Sequence, residues 1–225
     1  EAALARSYNR WIAEKCTQTK GRLRWVAVLP WLNATDAIDE MRWAKANGAC
    51  GIFKRGFDLD KSISDPHFFP IYQEANDLDL PLCVHTGHPG SEWDRGFPIM
   101  ASFLSVVTGK LAERFPKLRF GFIEAGASWI PYAISQLAMV ERTERHHERD
   151  QTLELSQDVL ERNRIFVTID PVDDIEYLLT LGAGNNLMIG TDYSHTDQSA
   201  NLSALSEVTL WADRGKITKS SATKI

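Results

Sequence analysis

Short apolar runs alternate along this 225-residue chain with stretches whose apolar residues recur every three or four positions. Runs bounded by Gly, Pro and Asn read as strands, and the 3.6-residue period reads as amphipathic helix. AALARSYNRWIAEKC opens as a helix, with Leu4, Tyr8, Trp11 and Ile12 at helical spacing. RWVAVLP at 24–30 is a strand closed by Pro30. NATDAIDEMRWAKANG is a helix, with Asn33 or Thr35 as cap and Gly48 as stop. ACGIFKR at 49–55 is the next strand. DPHFFPIYQEANDLD is a helix capped by Asp65 with Pro66 in its first turn. The remaining strands are LPLCVH, KLRFGFIE, RIFVTI at 164–169 and NLMIGTD. Between and after them the pattern predicts helices ending near Arg114, over 129–147, over DDIEYLLTLG and over 201–213.

Strict alternation of strand and helix is the signature of parallel βα units. No linker, charge block or low-complexity tract divides the chain, so residues 1–225 form a single domain. A doubly wound nucleotide-binding sheet wants a Gly-rich turn after its first strand. Here RWVAVLP runs into Trp31-Leu32-Asn33, and GxGxxG occurs nowhere. The expectation is therefore an α/β fold, a TIM-type β/α barrel lacking its first two strands and N-terminally incomplete. At roughly 30 residues per βα unit the shortfall is on the order of 60 residues. Strand alternation predicts that Cys83 with His85, Phe120 and Phe122 with Glu124, and Met188 and Gly190 with Asp192 face the barrel interior. Leu82, Val84, Ile123, Leu187 and Ile189 should face the helices.

Composition narrows the function classes. A net charge of −5 argues against a nucleic-acid binder, which needs a basic face. No apolar run approaches the ~20 residues that cross a bilayer, and no leader pattern opens the chain, so no membrane partner is expected. Cys16, Cys50 and Cys83 form no CxxC pair and suit free thiols in a cytoplasmic setting.

The candidate chemistry sits at the strand ends. LPLCVHTGH at 80–88 carries His85 at the end of its strand, KLRFGFIEAGASWIP carries Glu124 just past its strand, and NLMIGTDYSH at 186–195 carries Asp192. Polar residues at the carboxyl ends of several barrel strands are how such a fold builds an active site. Imidazole and carboxylate suit one divalent metal, zinc or manganese. Two ligands are too few for a tight catalytic site, which uses about three protein ligands plus an open position. Lys54 and Arg55, ending the second strand, are candidates to grip a substrate carboxylate. His88 and His195 are candidates for the pocket, with Trp129 and Trp93 at its mouth. Each has a plainer reading: Asp192 and Glu124 as helix caps, His85 as a core histidine, Lys54 and Arg55 as solvated loop charges. His146 and His147 lie in the charged run ERTERHHERD and read as a solvated helix end.

GRLRWVAVLPW, the DPHFFPIYQEA and LPLCVHTG block, RFPKLRFGFIEAGASWIP and IGTDYSHTD together resemble the amidohydrolase 2 family. That is the metal-dependent barrel group of aminocarboxymuconate semialdehyde decarboxylase and the aromatic-acid decarboxylases. KITKSSATKI is similar to the family's closing helix. The resemblance implies that LPLCVH is strand five and NLMIGTD strand eight, and that His85 and Asp192 are metal ligands. The family's first-strand His-x-His or Glu-x-His has no counterpart here. Glu124-Ala125-Gly126 stands where the decarboxylases usually carry His followed by glycines. The implied function is a metal-dependent hydrolase acting on a small organic acid, ester or amide, with Asp192 and Glu124 as catalytic groups and Glu124 as base. The alternatives are nonoxidative decarboxylation of an aromatic or enoic acid, and a metal-free barrel surviving as a binding module. A small-molecule carboxylate is the expected partner, and a homo-oligomer the expected assembly.

Overall fold

Six parallel strands form one sheet in strictly sequential order: β1 (Trp25–Val28), β2 (Ala49–Arg55), β5 (Leu82–His85), β6 (Phe120–Ile123), β7 (Ile165–Ile169) and β8 (Leu187–Ile189). A two-stranded antiparallel hairpin, β3 (Phe57–Asp58) with β4 (Lys61–Ser62), follows β2. The computed structural model describes residues 1–58, 60–85, 96–146, 158–170, 172–195 and 200–225. Sequential parallel order with helical crossovers is the arrangement of a β/α barrel, in which all strand ends of one polarity share one rim. Here β1 and β8 are the two edges of the arc.

The predicted elements form where the local signals stand. Asn33 accepts the Asp36 amide at 3.1 Å and starts α2 (Ala34–Ala46), and Gly48, at φ +91°, ends it. Asp65 accepts from the His67 amide at 2.8 Å and caps a 3₁₀ turn, Pro66–Phe68, that leads into α3 (Phe69–Asp77). The helix expected to end near Arg114 is two, α4 (Gly96–Thr108) and α5 (Leu111–Arg114), because the chain turns left-handed at Lys110. α1 (Ala2–Gln18) is clamped to β1 and α2 by polar contacts. Asn9 donates to Val28 O and to Glu40, and Arg10 binds Glu40 with both terminal nitrogens. The remaining helices are α6 (Ile130–His146), α7 (Val159–Arg162), α8 (Ile175–Thr180), α9 (Ala204–Asp213) and α10 (Lys219–Lys224). Among the described residues no helix is long and apolar enough to cross a membrane. The three cysteines are free.

The sheet has one helix-covered face and one inner face, and on β6 the sides differ from the expectation. The register pairs Leu82 with Phe120 and Val84 with Phe122, while Cys83 pairs with Gly121 and His85 with Ile123. Cross-strand partners in a parallel pair point to the same side. Phe120 and Phe122 therefore lie under the helices with Leu82 and Val84, all at most 1% exposed. Phe122 packs edge-on against Phe103 of α4 and against Trp129. Gly121 and Ile123 take the inner face with His85. The pleat alone would send Glu124 outward with Phe122, but a left-handed turn at Glu124, φ +62°, reverses its side. Leu82, Val84, Leu187 and Cys83 lie on the expected sides; Phe120, Phe122 and Ile123 lie on the opposite ones, because the left-handed turn at Glu124 breaks the alternation that ties it to β6.

Candidate metal and active site

The carboxyl ends of β5, β6, β7 and β8 surround a cleft of about 470 Å³. It is lined by His85, Glu124, Thr168, Asp170, Asp173 and Asp192, with Gly126, Ser128 and Asn201 among its other walls. His85, Glu124 and Asp192, far apart in the chain, thus meet at one rim. His85 Nε2 is in direct contact with Glu124 Oε2. Asp192 Oδ2 lies 2.8 Å from His195 Nδ1, and the His195 amide donates to Asp192 O at 3.2 Å, closing the turn that brings the ring back. Glu124, Asp192 and His195 each present a ligand atom, all within 4.8 Å of one another.

Backbone geometry holds these groups. Thr168, on the inner face of β7, accepts the Glu124 amide at 3.0 Å and donates to Phe122 O at 3.3 Å. Asp192 is also left-handed, at φ +45°, a conformation that Asp tolerates better than most residues. Asp173 ties the loop after β6 to the loop after β7. Its carboxylate accepts from the amides of Asp170 at 2.7 Å, Ala127 at 2.8 Å and Ser128 at 2.9 Å, and from the Ser128 hydroxyl. Gly126 is required in that loop. Its φ is +59°, and a Cβ there would stand 3.3 Å from both Asp173 oxygens.

The other sequence candidates divide. Lys54 does not reach the cleft. It lies on the helix-covered face, 0% exposed, with Nζ 4.6 Å from the Trp31 ring centre and 4.0 Å from that of Phe68. Nζ contacts Asp58 directly. Burial lowers the Lys54 pKa to about 7, the Arg55 charge adds to this, and the Glu1 charge opposes it. Adjacent residues on a strand face opposite sides, so only one of Lys54 and Arg55 can be on the inner face, and it is Arg55. Trp129, expected at the mouth, packs behind it. Its ring lies 5.2 Å from Phe103, and its indole N–H donates to Gly126 O at 2.8 Å. His88 and Trp93 lie outside the described residues.

Thr168, Asp170, Asp173 and Asn201 were not anticipated. The strand-end signal was present for two of them. RIFVTI runs into Asp170 much as NLMIGT runs into Asp192, and Thr168 has the parity of an inner-face residue. Asp173 and Asn201 lie in loops, where no periodicity reports side-chain direction.

Residues 1–218 match the amidohydrolase family model. The chain belongs to the amidohydrolase family. Solved structures of the same fold include an amidohydrolase from Mycobacterium avium subsp. paratuberculosis K-10, with TM-score 0.80 and 18% identity. The alignment covers 100% of this chain and 62% of that one, so the chain spans about three fifths of that protein's length. A 2,6-dihydroxybenzoate decarboxylase from Rhizobium matches with TM-score 0.76 at 18% identity over 100% of this chain and 74% of that one. A dihydroxybenzoic acid decarboxylase from Polaromonas sp. JS666, solved with bound manganese and the inhibitor 2-nitroresorcinol, matches with TM-score 0.70 at 16% identity over 100% and 72%. At these identities the likeness establishes the barrel architecture, of which this chain is a six-stranded part.

The donor set at the rim suits a hard or borderline divalent ion. Carboxylate oxygens from two strands and imidazole nitrogens from a third strand and a loop are ligands that manganese and zinc accept. A cation also answers an electrostatic need. Glu124, Asp170, Asp173 and Asp192 all line the cleft, and among its described lining residues there is no Lys or Arg.

Proposed function

We propose that this amidohydrolase-family protein is a divalent-metal-dependent carboxy-lyase acting on a small aromatic carboxylic acid. The observation that carries the reading is the convergence of Glu124, Asp192 and His195 within 4.8 Å, with His85 against Glu124, at one rim of the barrel arc. His85 and Asp192 would hold the ion, with Glu124 and His195 in reach as further donors. When bound, the ion supplies Lewis-acid polarisation of a substrate oxygen. The chain's own groups supply proton handling. Glu124, against the His85 ring at the same rim, is the group placed to hand a proton to the carbon left by carbon dioxide. Asp192 orients the His195 ring through Nδ1. Apolar inner-face residues such as Ile123 offer a wall for an aromatic ring. The barrel neighbours with a stated reaction, the dihydroxybenzoate decarboxylases, support this order of preference.

Hydrolysis of an ester or amide is the second reading. It is favoured by Glu124, a competent general base for water, standing where the decarboxylase pattern has His. Incubating the manganese- or zinc-loaded protein with a panel of hydroxybenzoates and of aryl esters and amides distinguishes the two. Carbon dioxide release with loss of the acid supports the lyase. A new acid with an alcohol or amine supports the hydrolase. A protein that binds neither ion and turns over neither panel would sink both, and leave a barrel that serves as a binding module.

A further inference from the structure

We propose that Val172 is a specificity-determining residue of this cleft, the outer part of an apolar wall that takes the ring of an aromatic ligand. The proposal rests on the reading above, in which the ligand is a carboxylic acid, and adds which part of the cleft holds its apolar end. Every apolar side chain among the described lining residues comes from two adjacent strand ends. Ile123 and Ala125 stand on either side of Glu124 at the end of β6, and Ile169 and Val172 on either side of Asp170 at the end of β7. The flanking strands β5 and β8 bring His85 and Asp192 instead. The apolar wall therefore stands at the middle of the arc, with candidate metal donors on both sides of it.

A single exposed valine is ordinary on a protein surface. This one is 87% exposed, lines the cleft and is held in place by its neighbours. Its amide donates to Asp170 Oδ1 at 3.2 Å, and the Asp173 amide donates to Asp170 O at 2.9 Å, closing the turn around it. The Asp173 carboxylate then fastens that turn to the loop after β6, through the amides of Ala127 at 2.8 Å and Ser128 at 2.9 Å. A β-branched side chain adds little rotational freedom of its own. The turn thus presents apolar surface that is already ordered. A ligand that covers it gains the burial of two methyl groups at small entropic cost, and a ligand with no apolar part gains nothing. Valine offers no group to the chemistry, so its effect is to choose between ligands.

The test is calorimetric titration of the whole protein, with and without manganese, by benzoate and by acetate. The two share a carboxylate and differ in the ring, so the ratio of their affinities isolates the apolar contact. Wild type is expected to prefer benzoate. Val172→Ala should lower that preference roughly tenfold, the factor for removing two methyl groups from a contact, with acetate little changed. Val172→Thr keeps the shape, replaces one methyl by a hydroxyl, and should lower it in the same direction. Both changes fall on an exposed side chain, so both variants should melt with wild type. An unchanged ratio in the two variants, equal weakening of both ligands, or no preference for benzoate in wild type would overturn the proposal. A parallel manganese titration separates this from the catalytic reading. Wild type that fails to bind manganese but keeps a Val172-dependent preference for benzoate refutes the metal site and upholds the apolar wall. Wild type that binds manganese and shows a preference independent of Val172 does the reverse.

Discussion

The Glu124 amide donates to Thr168 Oγ1 at 3.0 Å across the seam between β6 and β7. This bond fastens a left-handed residue, φ +62°, whose turn carries the carboxylate from the helix side of the sheet to the cleft side. A threonine on one strand therefore sets the direction of a candidate catalytic group on the next. Thr168→Val keeps the shape and removes the acceptor. It should lower stability by about 1–3 kcal/mol, the cost of leaving a partly buried amide unpaired, and also weaken manganese binding. Urea denaturation and a metal titration on the same variant check both halves.

Glu124→Gly should separate stability from function. A non-glycine residue in the left-handed region costs about 1–2 kcal/mol, part of which glycine returns as backbone entropy in the unfolded chain. Removing one of four cleft carboxylates also relieves repulsion. The variant should unfold at the same temperature as wild type or higher, while metal affinity and turnover fall. A markedly lower melting temperature would show that the Glu124 side chain is needed by the fold.

His85→Ala and Asp192→Ala should each weaken manganese binding at least tenfold and leave the sheet intact, because both side chains sit at the rim above a core that does not use them. Wild type at a manganese concentration of about 100 Kd should gain roughly 2.7 kcal/mol in unfolding free energy, and each variant should lose that increment. Unchanged metal-induced stabilisation in Asp192→Ala would remove it from the ligand set.

Arg164 is predicted to matter for folding rather than chemistry. Its guanidinium donates to Ala112 O, to Phe115 O at 3.1 Å and to Leu118 O at 2.9 Å, tying down the chain between α5 and β6. Burial lowers its pKa without discharging it. Arg164→Met should cost about 2–3 kcal/mol, since hydrogen bonds from a charged donor are lost and the carbonyls are left facing apolar surface. Metal affinity should be unchanged at a temperature where the variant is folded.

Burial pushes the Cys83 thiol up to about 11, with Cys50 adding to the shift. The folded state therefore prefers the protonated thiol. Its contribution to stability is present below pH 9 and is lost as the pH rises through about 11. Iodoacetamide at pH 8 should leave Cys83 unmodified in the native protein and modify it after denaturation, as read by peptide mass spectrometry. Rapid native labelling would mean that the thiol is far more open than its place on β5 indicates.

The order of strands and helices was readable from the chain, because each apolar run and each cap signal acts over a few residues. Asn33, Gly48, Asp65 and Pro66 stop and start elements through their own side chains or backbone preferences. Strand-end position singled out His85, Glu124 and Asp192 for a related reason: in parallel βα units every strand end of one polarity faces the same rim. Side-chain direction past the ends of strands was not readable. At Glu124 a single positive φ reversed the alternation, and what holds that φ is Thr168, 44 residues away. Lys54 and Arg55 looked equivalent as neighbouring cations. The pleat sends them to opposite faces, and only the hairpin β3–β4, too short to leave a periodic pattern, brings Asp58 back between them. The local signals determined which elements exist, since they depend on near neighbours along the chain. The assembled barrel arc decided which charges face the cleft, since that depends on contacts between residues the chain keeps far apart.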